Sequence, residues 1–336
     1  WVAGMCHCQG IPLNAMERTC HARQLHDRGS QRARPRGRIA AHCLLVTAPL
    51  GIALALRGVP PRYHSAMELL TERLKHRELD PGMDHPLMLL RFLTCTKTVE
   101  EAEEMVLTAQ AWRREAKVES IMQEWGELGK DGTWKLAPKS RRAKTAAGLF
   151  AAERLPTPDS SGGPVMLGRA LSSDMAGISR ENLHPLLQNV WVFMLEDMLQ
   201  AAHVMSLKKK RLIHGSTIID ASGLSLSILR YVSEYKPWLD IMNEDYPDLV
   251  SSVIVINAPS FFVKIWSVVS LLIAPTTREK VQIVGTDFQD VLQKQGMNLE
   301  ALPVFLGGQY EGSRLNSTLI VPKGAATGLN LSFGGA

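Results

Sequence analysis

No cysteine follows Cys95, and the five in the 336 residues (Cys6, Cys8, Cys20, Cys43 and Cys95) are odd in number and crowded toward the start. That distribution argues against a disulfide framework and fits a reducing compartment. The "CHC" at 6–8 and "CH" at 20–21 lack the paired spacing of a zinc site, so no metal is expected. Aromatics make up only 6% and no concentrated basic stripe stands out, which leaves little to stack bases or track a nucleic-acid backbone. No apolar run reaches the roughly 20 residues of a bilayer span. The run Leu44–Leu56 is broken by Pro49 and Gly51, and Phe261–Ile273 is too short. Gly-x-Ser-x-Gly, Gly-x-Gly-x-x-Gly and P-loop motifs are all missing, so no catalytic residue is assigned and no enzyme is expected.

What is present has the balance of a globular chain, with 45% hydrophobic and 21% charged residues. A net charge of +5 suits an anionic surface such as phospholipid without specifying one. Residues 1–64 are Arg-rich and acid-poor, with "RGSQRARPRGR" at 28–38. They read as a targeting segment, a disordered extension or a mistranslated one. Met67, where regular patterning begins, is a candidate start. Residues 65–126 then read as a small helical bundle. Ser65 with Glu68, and Thr98 with Glu101, have the spacing of capping boxes. Val99, Ala102, Met105, Val106, Ala109 and Trp112 recur at helical spacing. Residues 127–158, rich in Gly, Pro, Lys, Arg and Ser, read as a linker.

From 159 to 312 short apolar runs alternate with helical patterns. "PVMLG" at 164–168, "STIID" at 216–220, "SVIVIN" at 252–257 and "VQIVG" at 281–285 read as strands. Between them lie a long helix over 183–207, ended by "KKKR", a mainly helical stretch at 224–242 and the apolar helix after Pro259. "DFQDVLQKQ" before Gly296 reads as a last helix. Such alternation implies crossover connections and a mainly parallel sheet, an α/β fold. Residues 313–336 read as a flexible tail. His214, ahead of a strand, reads as a surface or capping residue.

Several blocks, in order, make residues 66–310 resemble the CRAL-TRIO lipid-binding family, in particular its phosphatidylinositol/phosphatidylcholine transfer proteins. They are "LLRFL" at 89–93, "AEEMVLTAQAWR" at 102–113, "DSSGGPV" at 159–165, "TIIDASGLS" at 217–225, "YPDLVSSVIVINAPSFFVKIW" at 246–266 and "LPVFLGG" at 302–308. The resemblance implies a CRAL-TRIO α/β sheet lining an apolar lipid pocket, preceded by the helical bundle and covered by a mobile lid helix. The stretch from Phe261 to Ile273 falls at the lid. Phe261, Phe262, Ile265, Trp266, Val269, Leu272 and Ile273 are then expected to line the cavity or to meet the membrane, the alternative being ordinary core. Burying one CH₂ contributes about 0.8 kcal/mol, so two acyl chains total roughly 20 kcal/mol, and a lipid leaves a bilayer only for an equally dry cavity.

For the headgroup, the resemblance places Thr277 and Lys280 on the positions that hold the phosphate, Asp248 on that of an acidic partner, and Thr217 on a position that contacts a choline headgroup. The chain departs from the family's pattern at Gly163, usually arginine, at Asp248, usually glutamate, and at Leu249, usually arginine. Gly215 stands where serine is usual, and "TCTK" follows "RFL" in place of a basic stretch. The resemblance thus implies reversible binding of one phospholipid, with no cofactor, metal or nucleic acid. Transfer or presentation at cytosolic membrane faces would follow, or else the role of a membrane-recruited lipid-sensing adaptor.

Overall fold

The computed structural model describes residues 56–169, 175–180, 182–313 and 315. The cysteine cluster and Arg-rich segment up to residue 55, and residues 316–336 of the expected tail, lie outside them. All described residues fall in one compact unit, Thr47–Ala336.

The chain enters through a 3₁₀ turn, Pro61–Tyr63, into α1 (His64–Leu74). The capping box expected at Ser65 is not made. The helix starts two residues earlier, with Tyr63 at the N-cap and no side-chain cap, and it buries Met67, Leu70 and Leu74. α2 (Pro86–Cys95) is capped by His85, whose Nδ1 accepts from the Leu87 N–H, and it buries every residue from Leu87 to Leu93. α3 (Val99–Glu115) has the expected cap, with Thr98 accepting from the Glu101 N–H. Glu101 in turn accepts from the Lys97 N–H. α4 (Val118–Trp125) completes the bundle.

The expected linker is instead built structure. β1 (Gly126–Leu128) and β2 (Trp134–Leu136) form an antiparallel hairpin. α5 (Arg141–Leu149) follows, capped by Ser140, and buries Ala143, Ala146, Ala147 and Leu149. β3 (Ala152–Arg154) pairs antiparallel with β4 (Val165–Arg169) and so forms the edge of the main sheet. The polar composition misleads because the buried side of α5 is mostly alanine, which contributes little to a hydrophobicity pattern.

After α6 (Met175–Arg180) comes α7 (His184–Lys209), about 39 Å long at 1.5 Å per residue. It is buried on several sides, and two of its buried residues are acids. Glu196 takes a bidentate pair from Arg113 of α3, and Asp197 pairs with Arg154 at 2.9 Å. A buried carboxylate needs such a partner. The first pair also fastens the bundle to the α/β part.

The sheet continues through β5 (Gly215–Asp220), β6 (Val250–Ile256) and β7 (Val281–Ile283). Its order is β3-β4-β5-β6-β7, parallel from β4 onward. Between β5 and β6 the stretch expected to be mainly helical resolves into two 3₁₀ turns, Leu226–Arg230 and Val232–Tyr235, and α8 (Lys236–Glu244). After β6 come α9 (Phe262–Val269), a 3₁₀ turn (Ser270–Leu272) and α10 (Pro275–Arg278). α11 (Gln289–Lys294) follows β7.

Alternation along the strands gives the sheet two faces. Val165, Leu167, Ile218, Ile254 and Ile256 pack with Phe288, Leu292, Met297, Leu302 and Leu306 from the C-terminal segment. On the other face Val255 and Ile219 meet α9, while Met166 joins the core of the bundle and α7. β6 is covered on both faces, which is why its sequence is nearly continuous in β-branched residues.

Candidate lipid-binding site

α9 is sorted by its own sequence. Phe262 and Ile265 are buried against Ala221, Leu224, Ile228 and Val255, with Phe261, Trp266 and Val269 partly buried beside them. Leu272 and Ile273, in the segment that follows, are half-buried. The other side faces solvent, with Val263 73% exposed and Val268, Lys264 and Ser267 also exposed, and Leu271 of the following 3₁₀ turn is 75% exposed. Isolated exposed apolar residues are ordinary, but adjacent ones on one short helix mark a contact surface. α9 lies down on the sheet, with Phe262 and Ile265 filling the space beneath it. A shallow concavity of about 470 Å³ lies elsewhere, on the outer side of α3, lined by Glu100, Glu103, Leu107 and Ala111 among others.

The polar residues expected at the headgroup divide into two sets. Asp248 and Lys280 come together, with Lys280 Nζ 3.1 Å from Asp248 Oδ1. The same ammonium donates to the Val250 carbonyl at 2.7 Å. Thr277 lies in α10, where its carbonyl accepts from the Lys280 N–H at 3.1 Å. Thr217 stands apart on β5, in register between Met166 of β4 and Val253 of β6. The Lys280 carbonyl accepts from Val253 on the opposite side of that strand, so Thr217 and Lys280 are two strands apart. Beyond Gly215 the room for a side chain is taken by Met198, so nothing takes the place of the serine usual there.

Three residues that the sequence did not place at the headgroup complete the cluster, among them His214, half-buried against Asp248 where a surface or capping residue was expected. His214 Nε2 lies 2.7 Å from Asp248 Oδ2 and Thr94 Oγ1 lies 3.0 Å from the same oxygen. A carboxylate only accepts, so Nε2 carries a proton. Arg91 lies beneath, 1% exposed, and donates to the Asp248 carbonyl at 2.7 Å and the Ile213 carbonyl at 2.6 Å. Burial pulls its guanidinium down to about 10, against the opposing pull of Asp248. Burial would raise the Asp248 carboxyl, but the hydrogen bond and charge of His214 and the ammonium of Lys280 outweigh it and hold it at about 2. Asp248 has φ +47°, a left-handed conformation that aspartate and asparagine tolerate better than most residues. The one sequence signal for this cluster was Arg91 itself, a lone charge in "LMLLRFL".

Upstream, Asp159 organises the turn into β4. Its Oδ1 accepts from the Ser161 and Gly163 N–H groups, each at 2.9 Å, and its Oδ2 accepts from the Ser216 hydroxyl. A Cβ at Gly163 would collide with the His214 carbonyl, so the arginine usual in the family has no room on this backbone. No helix among the described residues is long and apolar enough to cross a membrane.

Residues 155–308 match the CRAL/TRIO domain family. The chain is 27% identical over 235 residues to a CRAL-TRIO domain-containing protein of Caenorhabditis elegans, covering 66% of this chain and 29% of that protein. It is 24% identical over 235 residues to the phosphatidylinositol/phosphatidylcholine transfer protein SFH7 of Arabidopsis thaliana, covering 68% of this chain and 40% of that one. This chain therefore spans less than half the length of those two relatives. With the SEC14 cytosolic factor of Eremothecium gossypii it is 28% identical over 279 residues, covering 79% of this chain and 83% of that one. A crystal structure of Sfh5 has the same fold, with a TM-score of 0.53 at 13% identity over 73% of this chain and 79% of that one.

Proposed function

We propose that this chain, whose residues 155–308 match the CRAL/TRIO domain family, binds one phospholipid reversibly and moves it between membranes or presents it there, without covalent chemistry. Phosphatidylinositol and phosphatidylcholine are the candidate lipids. The observation that carries the reading is α9, a short helix with apolar residues on the sheet and apolar residues in solvent. Such a helix exchanges one apolar environment for another at low net cost. If it enters a bilayer, Val263, Val268 and Leu271 bury without leaving water-exposed gaps, and Lys264 snorkels to the headgroups. Its departure from the sheet uncovers Ile219 and Val255 for acyl chains. The polar cluster around Asp248 and Lys280 lies where β6 and β7 begin and supplies the headgroup contacts, with Thr277 one turn before Lys280. Action at cytosolic membrane faces, by peripheral contact, belongs to the same reading.

Transfer of labelled phospholipid from donor to acceptor vesicles tests it. The proposal expects catalysed transfer that scales with protein, and Lys280→Ala to weaken phosphatidylinositol transfer more than phosphatidylcholine transfer. Equal losses on both lipids would remove Lys280 from the headgroup assignment.

One observation favours a second reading. Phe262 and Ile265 occupy the space beneath α9, and a domain that stays closed in this way would serve as a lipid-sensing adaptor. Lipid binding without vesicle-to-vesicle movement would select it.

A further inference from the structure

Lys280 is not free in this structure. Its ammonium is taken by Asp248 Oδ1 and the Val250 carbonyl. A headgroup phosphate must compete with that carboxylate for the same cation. How readily Lys280 leaves depends on what else compensates Asp248 once it has gone.

The cluster around Asp248 is drawn from four places. α2 provides Arg91, Thr94 and Cys95; the segment before β5 provides His214; Asp248 itself precedes β6; and Lys280 precedes β7. Arg91 is committed to the backbone carbonyls of Asp248 and Ile213 rather than to the carboxylate. Thr94 is a neutral donor. Burial raises the Cys95 thiol, which keeps it uncharged near neutrality. His214 remains, in direct contact with Oδ2 at 2.7 Å. As a neutral imidazole it offers one hydrogen bond and no charge. As an imidazolium it offers a full countercharge.

We propose that His214 is a positioning residue for the headgroup site, and that protonation of its imidazole releases Lys280 from Asp248 to take a lipid headgroup phosphate. With the imidazolium on Oδ2, the carboxylate keeps a cationic partner after Lys280 turns away, and the site gains one positive charge. With neutral imidazole, withdrawing Lys280 strands a half-buried carboxylate. Proton and headgroup therefore bind cooperatively, and the coupling is reciprocal. Asp248, held at about 2, stays ionised, and Arg91, at about 10, stays charged. The proposal rests on the lipid-binding reading above and narrows it to the phosphatidylinositol headgroup, held through Lys280.

The experiment measures binding of the full chain to vesicles containing phosphatidylinositol and to vesicles of phosphatidylcholine alone, at about pH 8 and about pH 5.5. Wild-type affinity for the inositol vesicles should rise by about fivefold or more at the lower pH, the low end of ordinary coupling between two linked binding events. Affinity for the phosphatidylcholine vesicles should change much less. His214→Gln, which keeps a neutral donor, should bind weakly at both pH values. His214→Arg, which keeps a cation, should bind tightly at both. Circular dichroism checks that each variant is folded, and the two variants predict opposite limbs, so a general loss of structure cannot mimic the pair. A wild-type pH slope retained in His214→Gln overturns the proposal, as does an equal slope on phosphatidylcholine vesicles. Absence of inositol-lipid binding at both pH values sinks the parent reading for this lipid. Binding with a flat pH profile sinks only the role of His214.

Discussion

Arg91→Ala should be among the most damaging single changes in the chain, although Arg91 touches no expected ligand. Its guanidinium reaches the carbonyls of Ile213 and Asp248, which stand just before β5 and β6. One side chain from the bundle thus holds the starts of two central strands. Truncation leaves two carbonyl oxygens without their donors, at about 1–3 kcal/mol each. It also opens a cavity along the stem of a residue that is 1% exposed. A loss of about 4 kcal/mol follows, a large part of the 5–15 kcal/mol that holds a typical domain together. Arg91→Lys replaces the two separate guanidinium nitrogens that reach the carbonyls with one, and should lose about half as much. Arg91→Met restores the packed volume without the donors and should fall close to alanine. Urea unfolding followed by tryptophan fluorescence reads all three, since Trp125 is buried in the same core. A loss under about 1 kcal/mol for Arg91→Ala would refute the argument, because it would mean that those carbonyls find other donors at little cost.

Asp248→Asn keeps a side chain that tolerates the left-handed backbone and removes only the charge. With the folded carboxyl at about 2 against an ordinary value near 3.8, it should cost about 2 kcal/mol at neutral pH. That loss should disappear as pH falls from about 4 through 2, where the wild-type carboxylate is protonated. Asp245 is the reverse case. Burial and the neighbouring Glu244 push its carboxyl up to about 7. The folded state then holds a proton that the unfolded chain gives up between about pH 4 and 7, so stability falls as pH rises through that window. Asp245→Asn should raise the melting temperature at about pH 8, by up to about 2 kcal/mol of stability, and leave it nearly unchanged at about pH 4. Gly163→Ala should destabilise by more than about 1 kcal/mol in urea, because its Cβ meets the His214 carbonyl. Residues 159–312 expressed alone should not fold cooperatively, since they lose Arg91, Arg113 and the buried side of α2; a sharp thermal transition in that fragment would contradict this.

Much of the α/β pattern could be read from sequence because its physical causes are local. β6 shows its two-sided burial as a run of Val and Ile, α3 announces its start with Thr98 and Glu101, and α9 stands out as an apolar helix bounded by prolines. The segment from 127 to 158 hid its structure for tertiary reasons. α5 buries alanines, and β3 is a three-residue edge strand whose Arg154 reaches Asp197 and the Trp134 carbonyl only in the folded chain. The site divides in the same way. Asp248 and Lys280 were found through resemblance to relatives, and the structure pairs them. Arg91 and Thr94 meet Asp248 across 157 and 154 residues of chain, a distance that no periodicity bridges. His214 is 34 residues from Asp248 and looked like a solitary polar residue before a strand. Its partner became visible only when two parallel strands set their starting ends side by side.

The central claim is that this chain carries a phospholipid, and the most direct test is to look for one. The purified, folded chain is extracted with organic solvent and the lipids are quantified by mass spectrometry against the protein concentration. The account predicts about one phospholipid per folded chain after expression or after incubation with mixed vesicles, enriched in phosphatidylinositol or phosphatidylcholine over the supplied mixture. Chain that is folded by circular dichroism and carries no phospholipid after that incubation would contradict it.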